Sequence, residues 1–224
     1  MDQYKIDFVK LLVKAEALKF GEFKLKSGRM APYFLNAGCF HTGELISQLG
    51  TFYAKALLSN NLMPNVVFGP AYKGIPLSVA TVQALFSDYG ENVSYCFNRK
   101  EAKNYGDAKG NVLVGASLNE NTRVVLIDDV ITAGTAVRES VEVLKESGNP
   151  KLGGILIAMN RMEKNNDGIN AIADLEGKLK VPVHAIVDLD EVIEVLHNNE
   201  IDGKVYIDDE KMEVIKKYRA EYGV

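Results

Sequence analysis

Residues 124–136 read Val-Val-Leu-Ile-Asp-Asp-Val-Ile-Thr-Ala-Gly-Thr-Ala, and this stretch restricts the fold more tightly than any other in the chain. Its four leading apolar residues predict a strand buried on both faces. Two adjacent carboxylates, Asp128 and Asp129, end that strand. A loop of small and hydroxylic residues, Thr132, Ala133, Gly134 and Thr135, then feeds straight into a predicted helix over 137–147. Val137, Val141 and Leu144 form the helix's apolar stripe, and Gly148 and Pro150 stop it. Ligands of open α/β sheets bind at the carboxyl ends of strands. A helix N-terminus behind such a loop offers free backbone N–H groups to a phosphate. The paired carboxylates require hydrogen-bond donors or positive charge, such as sugar hydroxyls. A sugar phosphate satisfies both halves.

The rest of the chain repeats the strand–helix alternation. Short apolar runs at 66–68, 94–97, 112–114, 154–159 and 183–187 predict further strands, and residues 74–86 a further helix. Before them, Tyr4, Phe8, Leu11, Leu12, Ala15 and Leu18 recur at helical spacing, with Gly21 as the expected stop. Residues 23–36 predict a small hairpin around Ser27-Gly28 and Ala31-Pro32. Thr42 is placed to cap a helix whose Leu45, Leu49, Phe52 and Ala56 share a face. A last helix over 208–224 groups Met212, Ile215 and Tyr218. With no repeat, low-complexity tract or linker, the expectation is one α/β domain over 1–224 with a mostly parallel sheet covered on both sides.

Composition narrows the function. Lys and Arg number 26 against 30 Asp and Glu, a net charge of -4, which disfavours a nucleic-acid or membrane-surface protein. No apolar run approaches the ~20 residues that span a bilayer. Asp2, Lys5, Asp7 and Lys10 argue against a signal peptide. Cys39 and Cys96, without CxxC spacing, read as reduced thiols, so the expected location is cytoplasmic. His41, His184 and His197 are scattered and read as structural or surface residues.

Basic residues gather locally instead. Arg99, Lys100, Lys103 and Lys109 cluster with Glu101 and Asp107 as their only acidic companions, near Gly106 and Gly110. By themselves they describe an ordinary solvated loop. Gly69-Pro70 explains a turn before the helix at 74, but not Lys73 beside Tyr72. Arg161 follows an apolar run, where arginine is often solvated, yet its planar fork suits a carboxylate.

The 124–136 run resembles the 5-phosphoribosyl-1-pyrophosphate (PRPP) motif of type I phosphoribosyltransferases. Four further segments, Leu18-Lys19-Phe20-Gly21-Glu22-Phe23, Leu25-Lys26-Ser27-Gly28-Arg29, Pro32-Tyr33-Phe34 and the stretch 68–76, are similar to orotate phosphoribosyltransferases of bacteria and fungi, as is 95–103. The resemblance implies that fold, with a hood built from about 1–40 and part of the C-terminal region. It implies transfer of the phosphoribosyl group of PRPP to orotate in pyrimidine biosynthesis. Asp128 and Asp129 would hold the ribose hydroxyls, and Val130, Ile131, Thr132, Ala133, Gly134, Thr135 and Ala136 the ribose phosphate. Lys26, Tyr72, Lys73, Arg99, Lys100, Lys103 and Tyr105 would serve PRPP, with Lys103 the catalytic member of a lid over 99–111. That lid would act in the neighbouring subunit of a homodimer. Lys26, Phe34, Leu35, Thr132 and Arg161 would meet orotate, Arg161 through its carboxylate. Mg²⁺ would be carried mainly by pyrophosphate, without an all-protein metal site. The pattern departs at Tyr105, where many members carry His; a phenol of ordinary pKa ~10 is a poor acid at neutral pH. Leu35 stands where many have Phe. Two alternatives stay open: a phosphoribosyltransferase for another base, and a non-catalytic PRPP-sensing regulator.

Overall fold

Apolar runs that alternate their side chains between two buried faces need a helical layer on each side, and the chain supplies both. In the computed structural model, residues 1–25, 28–101, 112–132, 134–165 and 167–224 are described. Helix α1 (Gln3–Lys14) leads into the hairpin β1 (Leu18–Lys24) and β2 (Met30–Leu35), then α2 (Gly43–Ser59). The alternating body follows: β3 (Val66–Phe68), α3 (Gly74–Tyr89), β4 (Ser94–Asn98), β5 (Leu113–Gly115), β6 (Arg123–Asp128), α4 (Thr135–Glu146) and β7 (Lys151–Asn160). It continues through α5 (Ala171–Leu179), β8 (Val183–Asp188) and α6 (Leu189–Leu196). A small hairpin, β9 (Glu200–Ile201) and β10 (Lys204–Val205), precedes α7 (Asp209–Tyr222).

The central sheet has six strands in the order β5-β4-β3-β6-β7-β8. Its pairings are parallel except β4 with β5. Val66, Phe68, Val124, Leu126, Ile155 and Ile157 pack on one face with Val137, Val141 and Leu144 of α4 and Leu175 of α5. Val67, Val125, Ile127, Leu156 and Ala158 pack on the other, against α1, α2 and α3. Burying each such side chain contributes about 1.5–3 kcal/mol, so these short strands hold the sheet on both faces. This is the mostly parallel α/β fold expected from the sequence.

The differences are local. Helix α1 stops at Lys14 rather than near Gly21, because Glu16 turns the chain at a φ of 52° and Leu18 then pairs with Leu35. Ala15 and Leu18 keep their burial after the turn, so the apolar spacing continued beyond the helix. β5 lies one residue later than expected, at 113–115. Helices α5 and α6 and the β9–β10 hairpin were not anticipated. Thr42 caps α2 as read, its hydroxyl accepting from Leu45 N at 3.2 Å.

The β1–β2 hairpin and α7 meet over the segment after β7. Tyr218 of α7 packs edge-on against Tyr33 of β2, with ring centroids 6.0 Å apart. Lys164 N donates to the Tyr222 carbonyl at 2.8 Å and Val224 N to that of Met162 at 3.0 Å. Arg29 donates to the carbonyls of Lys164 and Asn165 and lies 4.7 Å from the Tyr222 ring centroid. The result is a hood over the carboxyl ends of β6 and β7.

Candidate active site

Parallel strands end where their carbonyls and following loops face solvent, and here three ends share one cavity of about 780 Å³. β3 supplies Pro70, Ala71, Tyr72 and Lys73, and β7 supplies Arg161 and Glu163. β6 supplies Asp128, Asp129, Val130, Ile131 and Thr132, and the start of α4 supplies Gly134, Thr135, Ala136 and Val137. The hood closes the remaining side with Lys24, Leu25, Arg29, Phe34 and Leu35.

Asp128 and Asp129 are fixed by different means. Asp128 Oδ1 accepts from Asp129 N at 2.9 Å, while the Asp128 carbonyl accepts from the buried Tyr53 hydroxyl at 2.8 Å. Burial first, and then the neighbouring Asp129 carboxylate, push the Asp128 carboxyl up to about 7. Asp129 is 6 % exposed; its Oδ1 accepts from Val130 N and its Oδ2 pairs with Lys73 Nζ, both at 2.9 Å. The Lys73 side chain is 49 % exposed while Asp129 is buried, so the ammonium is the partner that an anion entering the cavity can reach.

Two glycines let the backbone adopt these positions. A Cβ on Gly69 would lie 2.0 Å from the Gly74 carbonyl oxygen, so the β3–α3 loop closes too tightly for a side chain there. Gly134 adopts a φ of 67°, a left-handed turn that starts α4. Asn98, at the end of β4, braces the first loop by accepting from Ala71 N at 2.8 Å. The Ala71–Tyr72 peptide is cis.

The hood side of the cavity is aromatic and cationic. Phe34 is 40 % exposed and stacks on Phe23, with centroids 5.6 Å apart. Leu35 points the other way along β2 and is buried. Arg161 is 8 % exposed, and its Nη2 donates to Glu163 Oε1 at 2.7 Å.

Of the residues singled out in the sequence, Tyr72, Lys73, Asp128 to Thr132, Gly134 to Ala136, Phe34, Leu35 and Arg161 are gathered at this cavity. Arg99 and Lys100 are exposed at the end of β4 and do not line it. Lys26, Lys103, Tyr105 and Ala133 lie outside the described residues. The sequence reading missed Arg29, Glu163 and Asn165 as lining residues. The only signal was their place inside or beside recognised segments, since nothing in their spacing marks them. His197 bonds Asp209 at 3.0 Å, and none of the three histidines lines the cavity.

A sheet of this order, with a strand–Asp-Asp–loop–helix cradle at its carboxyl edge, defines the class of type I phosphoribosyltransferases. A family model described as "Phosphoribosyl transferase domain" matches residues 38–171. The chain belongs to the orotate phosphoribosyltransferase family. It is 44% identical over 224 residues to a protein of that name from Clostridium botulinum (strain Alaska E43 / Type E3), covering 100% of this chain and 99% of that protein. It is 46% identical over 224 residues to one from Vibrio parahaemolyticus, covering 100% of both. The crystal structure of orotate phosphoribosyltransferase from Francisella tularensis superposes with a TM-score of 0.81 at 37% identity, over 97% of this chain and 100% of that one.

Proposed function

We propose that the chain transfers the phosphoribosyl group of PRPP to orotate, giving orotidine 5′-monophosphate and pyrophosphate, in pyrimidine biosynthesis. The observation that carries this reading is the continuity of the cavity. It is lined together by the start of α4, by Asp128 and Asp129, and by Arg161 and Phe34. A sugar phosphate and a carboxylated ring fit that combination of chemistries.

On this reading the backbone N–H groups from Thr132 to Ala136 bind the ribose phosphate, and Asp128 and Asp129 accept from the ribose hydroxyls. Lys73, released from Asp129, and Tyr72 meet the pyrophosphate, while Arg99 and Lys100, which do not line this cavity, reach the pyrophosphate of the neighbouring subunit in a homodimer. The protein's main work is to align the anomeric carbon with the attacking ring nitrogen and to stabilise charge as pyrophosphate leaves. Lys26 and Lys103 take the roles that the sequence resemblance gives them, Lys103 as the catalytic cation of residues 99–111 acting across a homodimer. Tyr105 is left without acid/base work. The 224 residues form one domain, hooded by about 1–40 and part of the C-terminal region.

The donor set fits Mg²⁺ carried by the substrate. Asp129 Oδ1 is engaged by Val130 N, and Oδ2 becomes available once Lys73 turns to the pyrophosphate. When bound, Mg²⁺ would supply positive charge to the pyrophosphate, held through few carboxylates and several phosphate oxygens. No described helix is long and apolar enough to cross a membrane, and we assign the enzyme to the cytoplasm.

Steady-state assays with PRPP and orotate test the assignment. Arg161→Ala is expected to raise the KM for orotate by about 10- to 100-fold, the effect of losing a charge-assisted hydrogen bond, while Lys103→Ala lowers kcat. Unchanged orotate kinetics in Arg161→Ala contradict the placement of the base.

A further inference from the structure

An arginine that is to meet a ligand's carboxylate must stay ionised, oriented and incompletely engaged while its cavity is empty. Burial works against a lone cation unless a partner offsets it. Arg161 meets these conditions through Glu163, whose Oε1 accepts from Arg161 Nη2 at 2.7 Å. The same oxygen accepts from the Tyr33 hydroxyl at 2.7 Å. Tyr33 also reaches the Arg161 carbonyl, at 3.4 Å, and its ring centroid lies 5.4 Å from the guanidinium carbon. One hood residue therefore touches the backbone, the cation and the counter-ion of the residue that follows β7.

That hood residue is itself immobilised. Tyr218 packs against its ring, and burial, followed by the Glu163 carboxylate, raises the phenol far above its ordinary pKa. Tyr33 thus remains a proton donor to Glu163 over the working range of pH. Arg161, meanwhile, is left unsaturated. A guanidinium has five N–H donors, and among the described residues Glu163 is its only hydrogen-bond partner. Its Nε is buried with no partner among the described residues, a condition rare in folded proteins.

We propose that Glu163, gripped by the Tyr33 hydroxyl, is a positioning residue for base recognition, holding one edge of the Arg161 guanidinium so that its other donors stay free for a ligand's carboxylate. This rests on the assignment of Arg161 to the carboxylate of orotate. It adds that the hood sets selectivity for a carboxylated pyrimidine through Tyr33 and Glu163, which need not touch the base. Glu163 and Arg161 are two residues apart, so a change at either alters the same contact.

The test varies orotate and PRPP separately for wild type, Glu163→Ala, Glu163→Gln and Tyr33→Phe, with a thermal melt of each. Glu163→Ala is expected to raise the KM for orotate by about 10- to 100-fold and leave that for PRPP unchanged. Glu163→Gln retains an oxygen able to accept both bonds, and is expected to recover most of the loss. Tyr33→Phe removes one of the two grips and is expected to raise the orotate KM by less than Glu163→Ala does. The positioning role is overturned if both KM values rise together, if Gln is no better than Ala, or if Tyr33→Phe keeps the wild-type orotate KM. The last result decides even where Glu163→Ala fails to fold. Wild type that consumes no orotate with PRPP overturns the functional assignment and the positioning role together, whereas active wild type with unaffected variants overturns the positioning role alone.

Discussion

At the scale of single residues, the carboxylate pair at the end of β6 trades stability for binding. Asp128 keeps a proton to about pH 7 because it is buried beside Asp129. The unfolded chain gives that proton up near pH 4. Between those values the unfolded state binds fewer protons than the folded one, so this group's contribution to stability falls as pH rises, and levels off above about 7. Asp128→Asn is therefore expected to gain thermal stability relative to wild type at pH 8 and to gain little at pH 5, while kcat/KM for PRPP falls roughly 10- to 100-fold for a lost charge-assisted bond. A melting-temperature difference that stays constant across that range contradicts the account. The two aspartates were legible in the sequence through the full order of apolar run, paired carboxylates, loop of small and hydroxylic residues, and helix. Glu163 was not. Its importance depends on a hydroxyl 130 residues away in the chain, and no local pattern carries such a contact.

At the scale of elements, the loop from β3 to α3 shows how backbone packing shapes a site. Gly69 and Gly74 approach so closely that a methyl group on Gly69 would meet the Gly74 carbonyl at 2.0 Å and Ser78 Oγ at 2.8 Å. Overpacking of this kind costs about 1–3 kcal/mol. Gly69→Ala is expected to lower the melting temperature by about 2–4 °C for each kcal/mol and to raise the KM for PRPP, since Tyr72 and Lys73 ride on the displaced loop. A melt and a PRPP titration on one preparation check both, and an unchanged KM contradicts the role of this loop. The sequence marked this turn through Gly69-Pro70 and the strand before it. It did not mark α6, because the apolar run of β8 passes into that helix with no intervening loop: Asp188 ends the strand and Leu189 begins the helix. The Asp188–Glu191 capping box was the available sign. Helix α1 misled in the opposite direction, since Ala15 and Leu18 are buried by the hairpin at positions that helical spacing also favours.

At the scale of the whole molecule, two layers do separate work. The sheet and its flanking helices fix the half of the cavity proposed for the phosphoribosyl group, and the strand–Asp-Asp–loop–helix order made that half readable from residues alone. The hood and α7 fix the base half by converging on residues 161–165 from distant parts of the chain. Only resemblance made that half readable, because tertiary convergence leaves no local trace. Selectivity for the base is therefore the property to measure, as PRPP consumption with Mg²⁺ and, in turn, orotate, uracil and a purine base, at equal concentrations. PRPP-dependent loss of orotate with release of pyrophosphate is expected, with little turnover for bases that lack the carboxylate. Equal turnover with uracil or the purine, or none with orotate, contradicts it.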